Sequence, residues 1–390
     1  MNPFPFVLSE WRNSSGVLGA MALLIAIGCA ISLGVTSVER ALRKSSANAA
    51  DRFDLIVGAA GSETQLVLTT IYLQPAALKL MPLEMLKRLR ADPGVDYAAP
   101  IATGDSFAGF PIVGTTADFA SNHGKLPLVA GHWFGHNDEA VVGAATALKI
   151  GDTYTPLHGS ASENTIEQHA HTGQQVKVVG RMAATGTPWD KAILVPFEAV
   201  LELHSHTGHA SSGIPAIVVK PRSVMDAYRL RNTYRSDLTT AVFPAETLTS
   251  LYHTMGEVRE LVFWIATAGQ ALVLAAVLLG LYATLMARAK GLVALRAIGA
   301  GRLFLWLTLW LQAMGMLLAG IVGGLLAGSL VAWMAGSVLS TRLGLAVNAR
   351  PGTDDLWSLV MVLMAGATAS GLVAWRAYRV PVATALRSQG

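Results

Sequence analysis

Charge is the first thing this sequence is short of. Of its 390 residues only 14% are Asp, Glu, Lys or Arg, while 52% are hydrophobic and the mean hydropathy is +0.46. Soluble domains carry about a quarter charged residues, so the composition points to lipid. Cysteine is nearly absent. The single Cys29 lies inside an apolar run, which excludes an intramolecular disulfide and argues against a cysteine metal site. The net charge of +4 is spread out, with no basic-aromatic patterning suited to nucleic acid.

Chemistry is missing too. No G-x-x-x-x-G-K-[ST] loop occurs, and "GAAGSETQ" (58–65) is glycine-rich but has no lysine to reach a phosphate. The apolar runs hold no acid or base near their middles, where Gln270 and Gln312 are the main polar residues. Ion-coupled carriers and ion pores need such groups, so neither class fits. Energy for any work must come from outside the chain.

What is present is four stretches long enough to cross a bilayer, for which about 20 apolar residues suffice. They are Gly16–Thr36, Leu261–Met286, about Leu303–Gly336 and about Trp357–Trp375. Trp11, Trp264, Trp306, Trp310, Trp333, Trp357 and Trp375 fall near their ends, as an interfacial aromatic belt predicts. The first stretch is a retained span rather than a cleaved signal. Arg12 and Glu10 cancel where a basic start is needed, and Ala26 is a poor first residue for a lipoprotein cleavage site ending at Cys29.

The loop after the second stretch carries Arg288, Lys290, Arg296 and Arg302 and no acid. The tail carries Arg376, Arg379 and Arg387, whereas Arg342 and Arg350 are balanced by Asp354 and Asp355. The positive-inside rule places the 287–302 loop and both termini in the cytoplasm and residues 37–260 outside. Arg40, Arg43 and Lys44 oppose this count, and a helix continuing outward as a stalk accounts for them.

The expected organisation is residues 1–36 as N-terminus and first span, 37–260 as an exterior domain, and 261–390 as the remaining three spans. In the exterior part "DLIVGA", "AVVGA", "QVKVVGRM", "AILVPF" and "AIVVKP" read as strands, and "LEMLKRLRADPGV" and "SVMDAYRLRNTYRS" as helices. The fold class is therefore an α-helical membrane protein with four spans (1+3) and an α+β domain inserted between the first and second. "ETLTSLYHTMGEVRELVFW" reads as a second stalk leading into the second span.

In "RAKGLVALRAIGAGR" (288–302), Leu292, Leu295 and Ile298 recur every three residues and form one apolar stripe with basic flanks. Gly299 and Gly301 would end that helix. Such a helix can rest on anionic lipid or fill a groove in a partner.

Four motifs in order on this topology resemble the MacB/FtsX/LolC-like ABC transporter permeases. "KGLVALRAIGAGR" is similar to the family's cytoplasmic stretch that meets the ATPase, and "AYRVPVATALRSQ" (377–389) to its ending. "LPLVAGHWFGHNDEAVVGAATALKIGDTY" and "FDLIVGAAGSETQLVL" resemble its exterior-domain patterns. The sequence departs at Gly291, where the family commonly has Glu. The resemblance implies a bacterial inner-membrane permease that is not itself an enzyme. It implies a separate ABC ATPase that binds ATP, and a second permease copy as homodimer or related heterodimer. A periplasmic or outer-membrane partner is also expected, with motion passed to the periplasmic domain to move a lipoprotein, lipid or other envelope molecule. Arg288, Lys290, Leu292, Leu295, Arg296, Ile298 and Gly299 would form the ATPase-coupling surface. The alternatives are a scaffold that controls a periplasmic partner, and a zinc-linked receptor.

Gly320, Gly324 and Gly328 make a ridge that lets helices approach closely, within the chain or between copies. All ten histidines lie between 123 and 253, and His204, His206 and His209 in "LELHSHTGHASSG" have a spacing that zinc could use. A polar loop rich in histidine is the plainer reading. Asp105 and Asp190 read as solvated turn formers rather than catalytic acids, because no nucleophile stands in motif context.

Overall fold

In the computed structural model the described residues are 3–13, 15–158, 169–170, 175–205, 213–253 and 299–379, with scattered positions from 256 to 279. The chain divides into two compact units. One comprises Met1–Leu42, Glu257–Val338 and Val347–Gly390, the other Arg43–Gly256 and Leu339–Ala346.

Three helices among the described residues are long and apolar enough to cross a membrane: Ser15–Ala50, Leu303–Leu343 and Thr353–Trp375. The first has 36 residues, about 54 Å at 1.5 Å per residue, against a hydrocarbon core of about 30 Å. Its apolar part ends near Val38, and "ERALRKSSANAA" continues the same helix. The expected second span, Leu261–Met286, lies mostly outside the described residues.

The long helix Arg302–Leu343 starts on the carbonyl of Gly301, which accepts the N–H of Phe304 (3.1 Å) and of Leu305 (3.3 Å). It stops at Gly344, whose φ of +70° suits glycine and whose N–H returns to the Ser340 carbonyl at 3.0 Å. The last helix, Thr353–Arg379, is capped by the Asp355 carboxylate, which accepts the Gly352 N–H at 2.8 Å.

These helices bury Leu18, Ile25, Cys29 and Leu33 of the first against Ala313, Met316 and Leu317 of Arg302–Leu343, with Leu359 of the last. Leu274 packs against the same cluster. Leu23, Ile27, Ile31, Val322, Leu326 and Leu330 face outward, the exposure expected where lipid is the solvent.

Two of the tryptophans assigned to an aromatic belt also reach a facing helix. Trp306 and Trp310 stack at 5.9 Å, and their indole N–H groups donate to the carbonyls of Gly371 (3.2 Å) and Ala367 (3.1 Å). In an apolar medium an indole N–H needs an acceptor, and Gly371 leaves the last helix open enough to supply one.

The other unit is α+β. Its main sheet runs in the order Thr239–Val242, Leu55–Ala59, Ala216–Pro221, Val95–Phe107, Phe110–Thr115, Ile193–Pro196, Glu139–Val142, Val176–Met182, Leu128–Gly131. Two of these pairings are parallel: Phe110–Thr115 with Ile193–Pro196, and Glu139–Val142 with Val176–Met182. The others along this order are antiparallel. The 13-residue strand Val95–Phe107 joins the two halves: Val95–Ile101 pairs with Ala216–Pro221, and Ala102–Phe107 with Phe110–Thr115.

Each half has its own core. Helix Glu84–Ala91 buries Leu86 and Leu89, three residues apart, beside Leu55, Ile217 and Val219. Burying each leucine is worth about 1.5–3 kcal/mol. Its end is fixed by Asp92, whose Oδ1 accepts the Gly94 N–H at 2.9 Å and whose carboxylate also receives Arg229. The Arg229 guanidinium holds that carboxyl below the usual aspartate range. The second core gathers Ile112, Ala140, Val142, Val178, Ile193 and Val195 around Tyr154.

Candidate functional site

Of the residues assigned to ATPase coupling, Arg288, Lys290, Leu292, Leu295, Arg296 and Ile298 lie outside the described residues. Gly299 is described, with a φ of +99° that glycine tolerates best, so the backbone breaks there before the helix at Arg302.

The glycine ridge meets the first helix of the same chain. A side chain at Gly320 would strike Ile25 Cβ at 2.6 Å, at Gly324 Cys29 Cβ at 2.5 Å, and at Gly328 the Ala30 backbone at 3.0 Å. Three successive turns thus touch Ala22–Leu33 with almost no side chain between, the close approach that small residues allow. Gly323 lies beside this seam, 3.4 Å from Ala26 Cβ.

A polar node ties the first and last helices. The Asp355 carboxylate is 5% exposed and receives both terminal nitrogens of Arg40 (2.9 and 2.8 Å). It also accepts the hydroxyls of Thr36 (2.7 Å) and Ser37 (3.3 Å), besides the Gly352 N–H (2.8 Å). In the loop's charge count Asp355 offsets Arg342 and Arg350, and the residue it pairs with is Arg40. Thr36, Ser37 and Arg40 lie on one helical face, a signal visible only once the facing acid is known.

In the α+β unit, loop 185–191 ("TGTPWDK") is built around Asp190. The expectation of a solvated turn former is corrected here: Asp190 is 7% exposed, and Asp105 is 5% exposed. One Asp190 oxygen accepts the N–H (2.8 Å) and hydroxyl (2.7 Å) of Thr185, and the other the Gly186 N–H (2.7 Å). Trp189 is buried against Phe53 and Phe119, at 6.0 and 5.7 Å between ring centres. The loop is therefore anchored from both sides.

What it holds is the stretch 339–346. The Lys191 ammonium donates to the Thr341 carbonyl and, at 3.3 Å, to that of Arg342, both in the last turn of the Arg302–Leu343 helix. Gly344 nests on the loop, where an added Cβ would lie 3.3 Å from Pro188 Cα. Ala346 donates its N–H to Gly186 (2.9 Å) and accepts the Ser45 hydroxyl (2.8 Å), and Leu345 is buried. Ser45 belongs to the Ser15–Ala50 helix, whose Ser46 carbonyl takes the Tyr72 hydroxyl at 2.9 Å. Sequence reasoning missed Lys191, for which a lone lysine after Pro-Trp-Asp gives no signal.

The histidines divide. His206 and His209 lie outside the described residues, and His204 sits on helix Phe197–Ser205. Glu202 of that helix accepts Asn137 Nδ2 at 2.8 Å, which joins it to the turn holding His136. In that turn Glu139 accepts the N–H of Gly135 (2.8 Å) and of His136 (3.2 Å), and these bonds hold its carboxyl below the usual range. Among the described residues no group of three His, Cys, Asp or Glu is placed to hold a metal ion.

A mixed α+β domain on a chain with long apolar helices defines a class: membrane proteins with a large domain outside the bilayer. The model of the MacB-like periplasmic core domain matches residues 18–232, more than half of the chain, and the chain belongs to this family of MacB/FtsX-like ABC transporter permeases. The solved periplasmic region of MacB from Actinobacillus actinomycetemcomitans is similar at 10% identity, over 50% of this chain and 91% of that one, with a TM-score of 0.33. The extracellular domain of the noncanonical ABC-type transporter YknZ from Gram-positive bacteria is similar at 15% identity, over 48% and 98%, with a TM-score of 0.29. No curated protein matches. A periplasmic domain with several apolar helices fits an inner-membrane protein.

Proposed function

We propose that this chain is the membrane subunit of an ABC-type machine that works mechanically. It spans the inner membrane four times with both termini in the cytoplasm and residues 37–260 in the periplasm. A separate ATPase docks under residues 288–302, with Leu292, Leu295 and Ile298 in an apolar groove and Arg296 at its rim. The permease acts as a pair, a homodimer or a heterodimer with a related chain. ATP-driven closure of the ATPase passes along the helices to the periplasmic domains, which export or extract an envelope molecule such as a lipoprotein or lipid. The chain itself contributes no bond-making step.

The observation that carries this reading is the single helix Ser15–Ala50, apolar at its start and polar over its last turns, which the family match covers from residue 18 onward. One unbroken rod can carry displacement with little loss, because each turn is fixed by its own hydrogen bonds.

The docking surface is tested by Leu295→Asp and Leu295→Ala. Burial of a leucine is worth about 1.5–3 kcal/mol, so the alanine variant weakens co-purification with the ATPase about tenfold or more. The aspartate variant is worse, because it buries an unpaired charge. Both variants insert normally. Unchanged co-purification and unchanged stimulated ATP hydrolysis in Leu295→Asp would remove the coupling role.

A further inference from the structure

We propose that loop 185–191 is a clasp that fixes the end of the Arg302–Leu343 helix to the outer domain, giving motion a second route beside the first helix, with Lys191 as its positioning residue. This rests on the mechanical reading above and deepens it.

The observations converge on one stretch. Residues 339–346 belong to the same compact unit as 43–256, although 339–343 are covalently the last residues of a long apolar helix. The contact uses backbone groups of both stretches: the Thr341 and Arg342 carbonyls accept from the Lys191 ammonium, and Ala346 donates its N–H to the Gly186 carbonyl. Charge-assisted bonds of this kind are about twice as strong as neutral ones.

The receiving loop is prepared in advance. Gly186 has a φ of +72° that aims its carbonyl at Ala346, and the buried Asp190 carboxylate holds that conformation with three bonds. Asp190 also accepts the Ala145 N–H through its backbone carbonyl at 2.8 Å, so a pull on the clasp reaches the strand Glu139–Val142 and its neighbours. A loose surface contact would show neither a buried carboxylate nor a glycine turn shaped to the arriving chain. Ser45 closes the other side, so the first helix and the tail of Arg302–Leu343 are gripped within one hydrogen-bonded group.

The experiment is hydrogen exchange on the intact permease–ATPase complex, with and without ATP. In the resting wild type, peptides covering 185–191 and 344–346 are protected. Lys191→Ala speeds exchange at 344–346 about tenfold, as loss of a charge-assisted bond predicts, while Lys191→Arg restores protection. Ser45→Ala, a milder change from the opposite side, loosens the same peptides and guards against a Lys191 variant that misfolds. ATP alters exchange at 185–191 in the wild type. In Lys191→Ala that response disappears, while the response at 43–50 persists. Equal protection in wild type and both variants, or an undiminished ATP response at 185–191 in Lys191→Ala, overturns the clasp and leaves the mechanical reading standing. No ATP response anywhere in the wild type overturns the mechanical reading, and the clasp with it.

Discussion

Arg40 grips Asp355 with both terminal guanidinium nitrogens, at 2.9 and 2.8 Å, across 315 residues of sequence. Removing one partner of a buried pair costs about 3–5 kcal/mol, and the 37% exposure of Arg40 lowers the expectation to about 2–3 kcal/mol. Asp355→Ala should therefore lower the thermal midpoint of the detergent-solubilised chain by several degrees. Asp355→Asn, which keeps an acceptor for Thr36 and Gly352, should lose less. Midpoints within error of the wild type at a fixed scan rate would show that the node adds nothing to stability.

The glycine seam predicts a sharp positional contrast. Gly324→Leu must push against Cys29 and the Ala26 carbonyl, and overpacking of that kind costs about 1–3 kcal/mol. Gly323→Ala meets only Ala26 Cβ at 3.4 Å, ordinary contact, and should be tolerated. Comparison of the folded yield of the two variants in membranes tests this. Equal yields would mean that the helices are not in close contact at Gly324.

Tyr72 supplies a pH dependence. Burial pushes its phenol up to about 12 from an ordinary value of 10. A neutral acid with a raised folded pKa contributes stability that is complete below pH 10 and is lost as pH rises toward 12. Tyr72→Phe should remove the late step from the ultraviolet titration and weaken alkaline unfolding in that window. It should also cost about 0.5–1.5 kcal/mol at neutral pH through the lost bond to Ser46. A titration curve unchanged by the substitution would contradict the burial assigned to this hydroxyl.

Zinc binding by His204, His206 and His209 remains a proposal with a direct assay. If the loop takes metal, the full chain in detergent binds zinc at micromolar affinity or tighter, and the triple alanine variant does not. Equal uptake by both proteins would make the loop simply polar.

Much of the fold is legible in the sequence, because period and punctuation carry it. The strands at 55–59, 139–142, 176–182, 193–196 and 216–221 follow from short apolar runs bounded by Gly, Pro or Asp, and Asp92-Pro93-Gly94 stops a helix where it should. The glycine spacing marks a close-packed seam without naming its partner, since a 4-residue ridge looks alike whether it meets its own chain or another. Long-range polar pairs are not legible at all. Asp355 finds Arg40, and Lys191 finds helix-end carbonyls 150 and 151 residues away, because the fold brings them together and nothing local marks them. Trp306 and Trp310 show the same limit: a tryptophan near a span end reads as interfacial, and the carbonyl that its indole meets on a facing helix is not visible in the sequence.

The first and last strands of the outer sheet, Leu55–Ala59 and Thr239–Val242, lie side by side and antiparallel, with Ile56 opposite Val242. Neighbouring strands are about 5 Å apart, so the chain leaves this domain almost where it entered. Everything between residues 56 and 242 is thus a cassette whose two ends nearly coincide. Such a cassette can be lengthened in its loops away from 185–191 with little strain, but exchanging it for another head must keep the grip of loop 185–191 on residues 339–346. A transplant of the 56–242 segment together with its 339–346 partner stretch onto a relative's helices is the natural place to begin.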